Sequence, residues 1–266
     1  MVNSIMEEKV LDIAYTIERH LMMYAKSENT SERHQVLWHT WNANKRWLSQ
    51  LLEWTLASFP TYSRHNAVHA DTVLYNIERI LGENRIKQLS ATDCFMMLHA
   101  SYMHDIGMSI TAEERADMTQ ADRFQDLIEK LEREGDVDQK KAAQSVLRTQ
   151  YTEYSAQSSR ERSRHLKELF REKLDVYYGL GQLMSEYQRS LHADRVKERM
   201  NRWTLNPEEL GNGFSSSGIP LRLFLRIADC AAIHATSGIE AVLELPQKDS
   251  GYVLDVVHPR FIAIML

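Results

Sequence analysis

The stretch Leu98–Ser109, LHASYMHDIGMS, carries an apolar run straight into an adjacent histidine and aspartate, His104 and Asp105. A buried carboxylate without a partner costs several kcal/mol. A chain that places one at the end of a core segment must therefore supply a partner from elsewhere. Reading back from the pair, Ser90-x-x-Asp93 has the spacing of a capping box. It predicts a helix that opens near Ser90 and runs apolar into His104–Asp105, with IGMS as the loop beyond.

Two further segments offer partners. TYSRHNAVHADTVLYNIERILG reads as a helix capped by Ser63 or Asn66 and closed by Gly82. It carries His69. Near the other end of the chain, PLRLFLRIADCAAIHA reads as a helix with Pro220 in its first turn, and it carries Asp229. His69, His104, Asp105 and Asp229 each lie on or beside an apolar helix face. Two solutions are open for the acids. Arg226, one helical turn before Asp229, can pair with it; or a divalent metal can collect all four groups. Imidazole with carboxylate suits Mn, Fe, Ni, Co or Zn better than Ca, as one ion or two, with Mg a further candidate. A metal also explains the adjacency, because consecutive side chains at a helix end can turn to one centre.

The rest of the chain favours helix. Its 266 residues hold only 10 Gly and 5 Pro, with 43% hydrophobic and 26% charged residues. Apolar spacing predicts a helix over VLDIAYTIERHLMMYA and a second over VLWHTWNANKRWLSQLLEWTLASF, the latter loaded with Trp38, Trp41, Trp47 and Trp54. ADRFQDLIEKLERE and DQKKAAQSVLRTQY read as surface helices. SSRERSRHLKELFREKL reads as a basic helix, followed by GLGQLMSEYQRSLHADRVKERM as another helix or a helix pair. The tail GYVLDVVHPRFIAIML is rich in β-branched residues and reads as one or two short strands. It ends on bare apolar residues, which suggests the N-terminal part of something longer or a strand that pairs elsewhere. The organisation expected is therefore all-α, with an N-terminal helical extension (1–58), a helical core (59–236) and a short β-like tail (237–266).

Several functions are disfavoured at this level. No apolar run approaches the ~20 residues of a membrane span. The N-terminus lacks a signal-peptide layout, so a cytoplasmic protein is expected. Cys94 and Cys230 form no zinc pattern. The net charge of −5 gives a long polyanion no general attraction, so nucleic acid is a less favoured partner. There is no Gly-rich phosphate loop and no Ser or Cys nucleophile motif.

In order, HADTVLYNIERIL, LHASYMHDIGM and LFLRIADCAAI resemble the three motifs of the HD-domain superfamily of metal-dependent phosphohydrolases, over about residues 59 to 236. The signature is H…HD…D on a helical bundle. The resemblance implies that His69, His104, Asp105 and Asp229 are metal ligands and that His104 and Asp105 serve catalysis. Two-metal members add histidines between the HD pair and the last Asp, and here His165 and His192 are the candidates. RHNAVH, with His65, resembles a subgroup found in bacterial effector and conflict-system proteins, often fused to further domains. This chain has Arg64 and Asn66 where that subgroup has Asp and Gly.

The chemistry implied is hydrolysis of a phosphoester or phosphoanhydride in a nucleotide or other small phosphorylated molecule. Such a substrate needs positive charge for its non-reacting oxygens. His65, Arg160 and Arg164 (one turn apart on the basic segment) and Arg226 are the candidates for that contact. Two alternatives stand beside it: a metal-dependent nuclease on single strands, and a ligand-sensing module that keeps the fold without turnover. The Trp-rich helices and the apolar tail suit self-association or a further domain.

Overall fold

The computed structural model describes residues 16–28, 31–58, 66–148, 159–205, 214–216, 218–235, 239–250 and 255–266. Among them the chain is all-α. The helices are α1 (Ile17–Lys26), α2 (Glu32–Ser58), α3 (Ala67–Ile86), α4 (Ala91–Met103), α5 (Ala112–Gln120), α6 (Asp122–Glu134), α7 (Val137–Arg148), α8 (Ser159–Leu205), α9 (Leu221–Ala232), α10 (Ile239–Glu244) and α11 (Pro259–Met265), with 3₁₀ turns at Ile106–Met108 and Ile233–Ala235. None of the described helices is long and apolar enough to cross a membrane.

The chain groups into two compact units. One holds Met1–Thr55, Arg64–Ser109 and His192–Leu266; the other holds Leu56–Ser63 and Ile110–Leu191. The first is built around α4, whose thirteen side chains are all buried. A helix apolar on every side must be enclosed on every side. Helices α1, α3, α9 and α11 all pack on it. Ile17, Leu21, Trp41 and Leu48 from the N-terminal helices share its core with Phe95, Met97, Leu223 and Phe224.

The polar groups enclosed with α4 are hydrogen-bonded. Ser90 caps the helix by accepting from Asp93 N, 3.0 Å. The Asp93 carboxylate does not reach back to complete a capping box. It accepts instead from the backbone N and Nδ1 of His258, each at 2.8 Å. Asp255 Oδ2 accepts from the Thr92 hydroxyl at 3.2 Å. His99 stacks near Trp41, Phe95 and Phe224. Its Nδ1 donates to Phe95 O at 2.9 Å and its Nε2 accepts from Asn44 Nδ2 at 3.1 Å. Burial pushes the His99 imidazole down to about 3.

The second unit packs α6 on α7, with Phe124, Ile128, Ala142, Ala143, Leu183 and Met184 in its core.

Three expectations need correction. The strands expected in the tail do not form among the described residues. There is one isolated bridge, Asp249 to Val257, and then helix α11. Pro259 opens that helix, where its fixed φ and missing N–H fit the first turn. Pro259, Ile262 and Ala263 are buried together, a helical spacing that overrides the β-branched composition. Gly82 kinks α3 (φ 66°) and does not end it. The basic segment and the segment after Gly179 are one continuous helix, α8. A Cβ at Gly179 would sit 3.0 Å from Ala142 O and 3.2 Å from Ala142 Cα. That glycine admits a neighbouring backbone, and the helix runs through it.

Candidate metal centre

The HD pair is built by the way α4 stops. The helix ends at Met103, and His104 still has helical φ/ψ as its C-cap. Asp105 moves to φ −102°, ψ 1°, and the 3₁₀ turn Ile106–Met108 follows. The change of course turns two consecutive side chains to one place, with His104 Nε2 3.0 Å from Asp105 Oδ2. Both residues are buried, His104 at 6% and Asp105 at 3% exposure.

His69 comes from the first turn of α3. Asn66 is the cap, its side chain accepting from His69 N at 3.3 Å. Two residues on, Asp71 accepts a short hydrogen bond from the Tyr102 hydroxyl, which fastens α3 to α4 beside the pair. Burial and the Asp71 bond push that hydroxyl well up, so it stays a donor. His69 Nε2 then lies 3.5 Å from Asp105 Oδ2.

His192 is brought in by a close backbone approach. A Cβ on Gly107 would fall 2.0 Å from His192 O and 2.9 Å from its Cα. Only glycine leaves room for the His192 segment of α8 against the 3₁₀ turn. Two arginines clamp the same contact. Arg195 Nε donates to Gly107 O at 3.1 Å. Arg199 donates to the Ser109 hydroxyl at 2.8 Å and also to Ser109 O.

The fourth histidine is one the sequence reading passed over. His234 lies in the 3₁₀ turn just after α9, with Nε2 2.9 Å from His192 Nε2 and 3.9 Å from Asp105 Oδ1. The two Asp105 oxygens thus face different histidines: Oδ2 faces His69 and His104, and Oδ1 faces His234. Two sets of donor atoms result, His69–His104–Asp105 and Asp105–His192–His234, each within 4.8 Å of one another.

These residues fit a transition metal. Two donors on one ion at about 2.1 Å each lie no more than about 4.2 Å apart, and the contacts at 2.9, 3.0, 3.5 and 3.9 Å meet that limit. The rings are also oriented for it. His104 Nδ1 donates to Ser101 O at 2.8 Å, and His234 Nδ1 donates to Ala231 O at 2.6 Å. A carbonyl only accepts, so Nδ1 carries a proton in both rings and Nε2 faces the centre, as a lone pair whenever the ring is neutral. Burial works to lower the His104 pKa, but the Asp105 hydrogen bond and charge outweigh it and raise it. Burial, with the His104 charge next, takes His234 down to about 4.

The remaining expected residues lie elsewhere. Asp229 Oδ2 is 3.2 Å from Arg226 and its Oδ1 is 3.8 Å from Lys197; it belongs to neither set of donors. Arg226 also reaches Asp249 at 3.5 Å. Of the two solutions open for Asp229, its Arg226 pair is present. Arg160, Arg164 and His165 lie on α8, but their side chains are outside the described residues, as is the whole of His65. Gly107, Arg195, Arg199 and His234 had not been singled out. The sign for His234 in the sequence is its place, a histidine five residues behind Asp229 at the end of the same apolar segment.

Comparison with known protein families gives a match. A family profile described as HD-CE covers residues 59–266. Neither the curated proteins nor the solved structures produced a match.

Proposed function

The chain belongs to the HD-CE family, and from that premise we propose that it is a metal-dependent phosphohydrolase acting on a nucleotide or another small phosphorylated molecule. The observation that carries the reading is Asp105, a carboxylate 3% exposed at the end of a wholly buried helix, surrounded by histidine Nε2 atoms. Four imidazoles and one carboxylate select Mn, Fe, Co, Ni or Zn over Ca.

His69, His104 and Asp105 would hold the metal, with His192 beside them. When bound, a divalent metal supplies Lewis acidity toward a phosphoryl oxygen and toward water. The chain's own groups do the rest. Asp105 holds negative charge at the centre and orients the rings. The Ser101 and Ala231 carbonyls fix two of those rings by their tautomers. The enclosing core keeps bulk water from the inner face of the centre. Arg160 and Arg164, one turn apart on α8, remain the proposed contacts for non-reacting phosphate oxygens. Arg226 is already engaged by two carboxylates and is better suited to organising charge.

The test is metal content by mass spectrometry on protein purified without chelator, beside Asp105→Ala, followed by a panel of nucleotides and phosphate esters with the metal found. Bound transition metal and phosphate release, both lost in Asp105→Ala with the fold intact, support the proposal. Metal without product across the panel would favour a sensing module. Shortening of single-stranded oligonucleotides would favour the nuclease. An Asp105→Ala variant that hydrolyses as well as wild type sinks the mechanism.

A further inference from the structure

The geometry points to His234, and not Asp229, as the residue that completes the donor set, sharing with His192 the Oδ1 side of Asp105. This rests on the metal-centre reading above and goes beyond it. It departs from the H…HD…D pattern that made Asp229 the expected last ligand.

Three independent observations carry it. The first is helical phase. Asp229 lies in the last turn of α9 and His234 in the 3₁₀ turn that follows it; at about 100° per residue in the helix and about 120° in the turn, they point roughly 140° to 180° apart. One can face the centre; the other is turned away. The second is what each side chain meets. His234 Nε2 is 2.9 Å from His192 Nε2 and 3.9 Å from Asp105 Oδ1, whereas Asp229 is engaged by Arg226 and Lys197. Two ring nitrogens at 2.9 Å are in contact either through one shared proton or through a cation that takes both lone pairs. The Ala231 carbonyl holds the His234 proton on Nδ1, so His234 brings a lone pair to that contact. The third is burial. The His234 side chain is 18% exposed and the Asp229 side chain 36%, which puts the histidine on the inner side of the element.

The partner positions agree with this division. His192 meets His234, and five residues further along α8 Lys197 meets Asp229, five residues earlier on α9. The same offset on both segments separates a histidine side, toward Asp105, from a charged side. Asp229 works on the charged side, holding Lys197 and Arg226. The ion expected between the histidines is a divalent transition metal, since two imidazoles and one shared carboxylate give a site too nitrogen-rich for Ca or Mg.

The experiment is a Co²⁺ titration of the full chain after chelator treatment, read by visible ligand-field absorption. It compares wild type, His234→Asn, Asp229→Asn and Asp105→Ala. Asparagine at 234 can keep the hydrogen bond to Ala231 O while removing the Nε2 donor. Asparagine at 229 keeps an acceptor for Arg226. His234→Asn should lose more than about a hundredfold in Co²⁺ affinity, beyond the roughly 10–100-fold that removing a mere orienting partner costs, and change the spectrum. Asp229→Asn should bind within about twofold of wild type with the same spectrum. If Asp229→Asn loses affinity as severely as Asp105→Ala, or if His234→Asn matches wild type in affinity and spectrum, the exchange of ligands is wrong and the metal centre itself stands. If wild type takes up no Co²⁺, the metal-centre reading fails and the inference with it. Should His234→Asn not fold, ¹⁵N imidazole resonances of wild type on Zn²⁺ addition decide: a His234 Nε2 signal that does not move overturns the inference.

Discussion

Helix α4 has a histidine–aspartate pair at each end, and the two ends treat it differently. At the N-terminal end, Asp93 receives one N–H on each carboxylate oxygen, both from His258 and both at 2.8 Å. That carboxylate also sits at the positive end of the helix dipole, where negative charge is stabilised. At the C-terminal end, Asp105 lies where the dipole disfavours an anion, and ring nitrogens surround it at 3.0 to 3.9 Å. One carboxylate is provided for by the fold. The other stands among imidazole nitrogens, the arrangement on which the proposed metal centre rests. The same two residue types therefore give a structural clasp in one place and a candidate metal centre in the other, and the difference lies in where the helix places them and what else converges.

The sharpest way to break this comparison is to remove the two acids in turn. Asp105→Ala should reduce metal affinity by more than about a hundredfold while leaving a folded helical protein, read by mass spectrometry and circular dichroism. Gly107→Ala should come next. The added methyl meets the His192 backbone at 2.0 Å, and backbone cannot step aside as a side chain can. A loss of about 3 kcal/mol in denaturant unfolding is expected, with metal affinity falling too; an unperturbed Gly107→Ala would mean the close approach is not what sets His192. Asp93→Ala should show the reverse of Asp105→Ala: a loss of about 2 kcal/mol, the scale of hydrogen bonds to a charged group, and normal metal content. A metal-deficient Asp93→Ala would erase the distinction between the two ends.

The smallest expected effect concerns His99, between the two pairs. Its folded-state pKa of about 3 lies below the ordinary histidine value of 6.5. The unfolded chain therefore binds more protons than the folded one between those values, and stability must fall as pH drops from 6.5 toward 3. About 1–2 kcal/mol should be lost between pH 7 and pH 5 from this group. Urea unfolding of wild type and His99→Gln at both pH values measures it, and an equal pH dependence in the two would assign the loss elsewhere.

Much of the candidate centre was legible because it is local. A cap at Ser90, an apolar run and two polar residues at its end are written within sixteen residues, and the all-α class follows from the scarcity of Gly and Pro. What stayed hidden depends on chain segments far apart meeting. Nothing near His234 in sequence announces that Ala231 O will turn its Nε2 toward His192. Gly179 looks like a helix breaker until Ala142 is packed against it. The Asp93 half of the capping box was diverted by His258, 165 residues away. The tail was misread because β-branched composition is a weak preference beside a proline in the first helical position and a buried face at helical spacing.

The notch at Gly107 has one more consequence. Helix α8 is 47 residues long, and a helix of that length could slide or roll against its neighbours with small changes in each contact. Advancing it by one residue would carry His192 about 1.5 Å along the axis and about 100° around it, clear of Asp105. At Gly107 the missing side chain is a detent: one backbone position drops into it, and the two guanidinium groups of Arg195 and Arg199 latch the helix there. The chain thus fixes the placement of a donor atom on its longest element by leaving out a single carbon on one of its shortest.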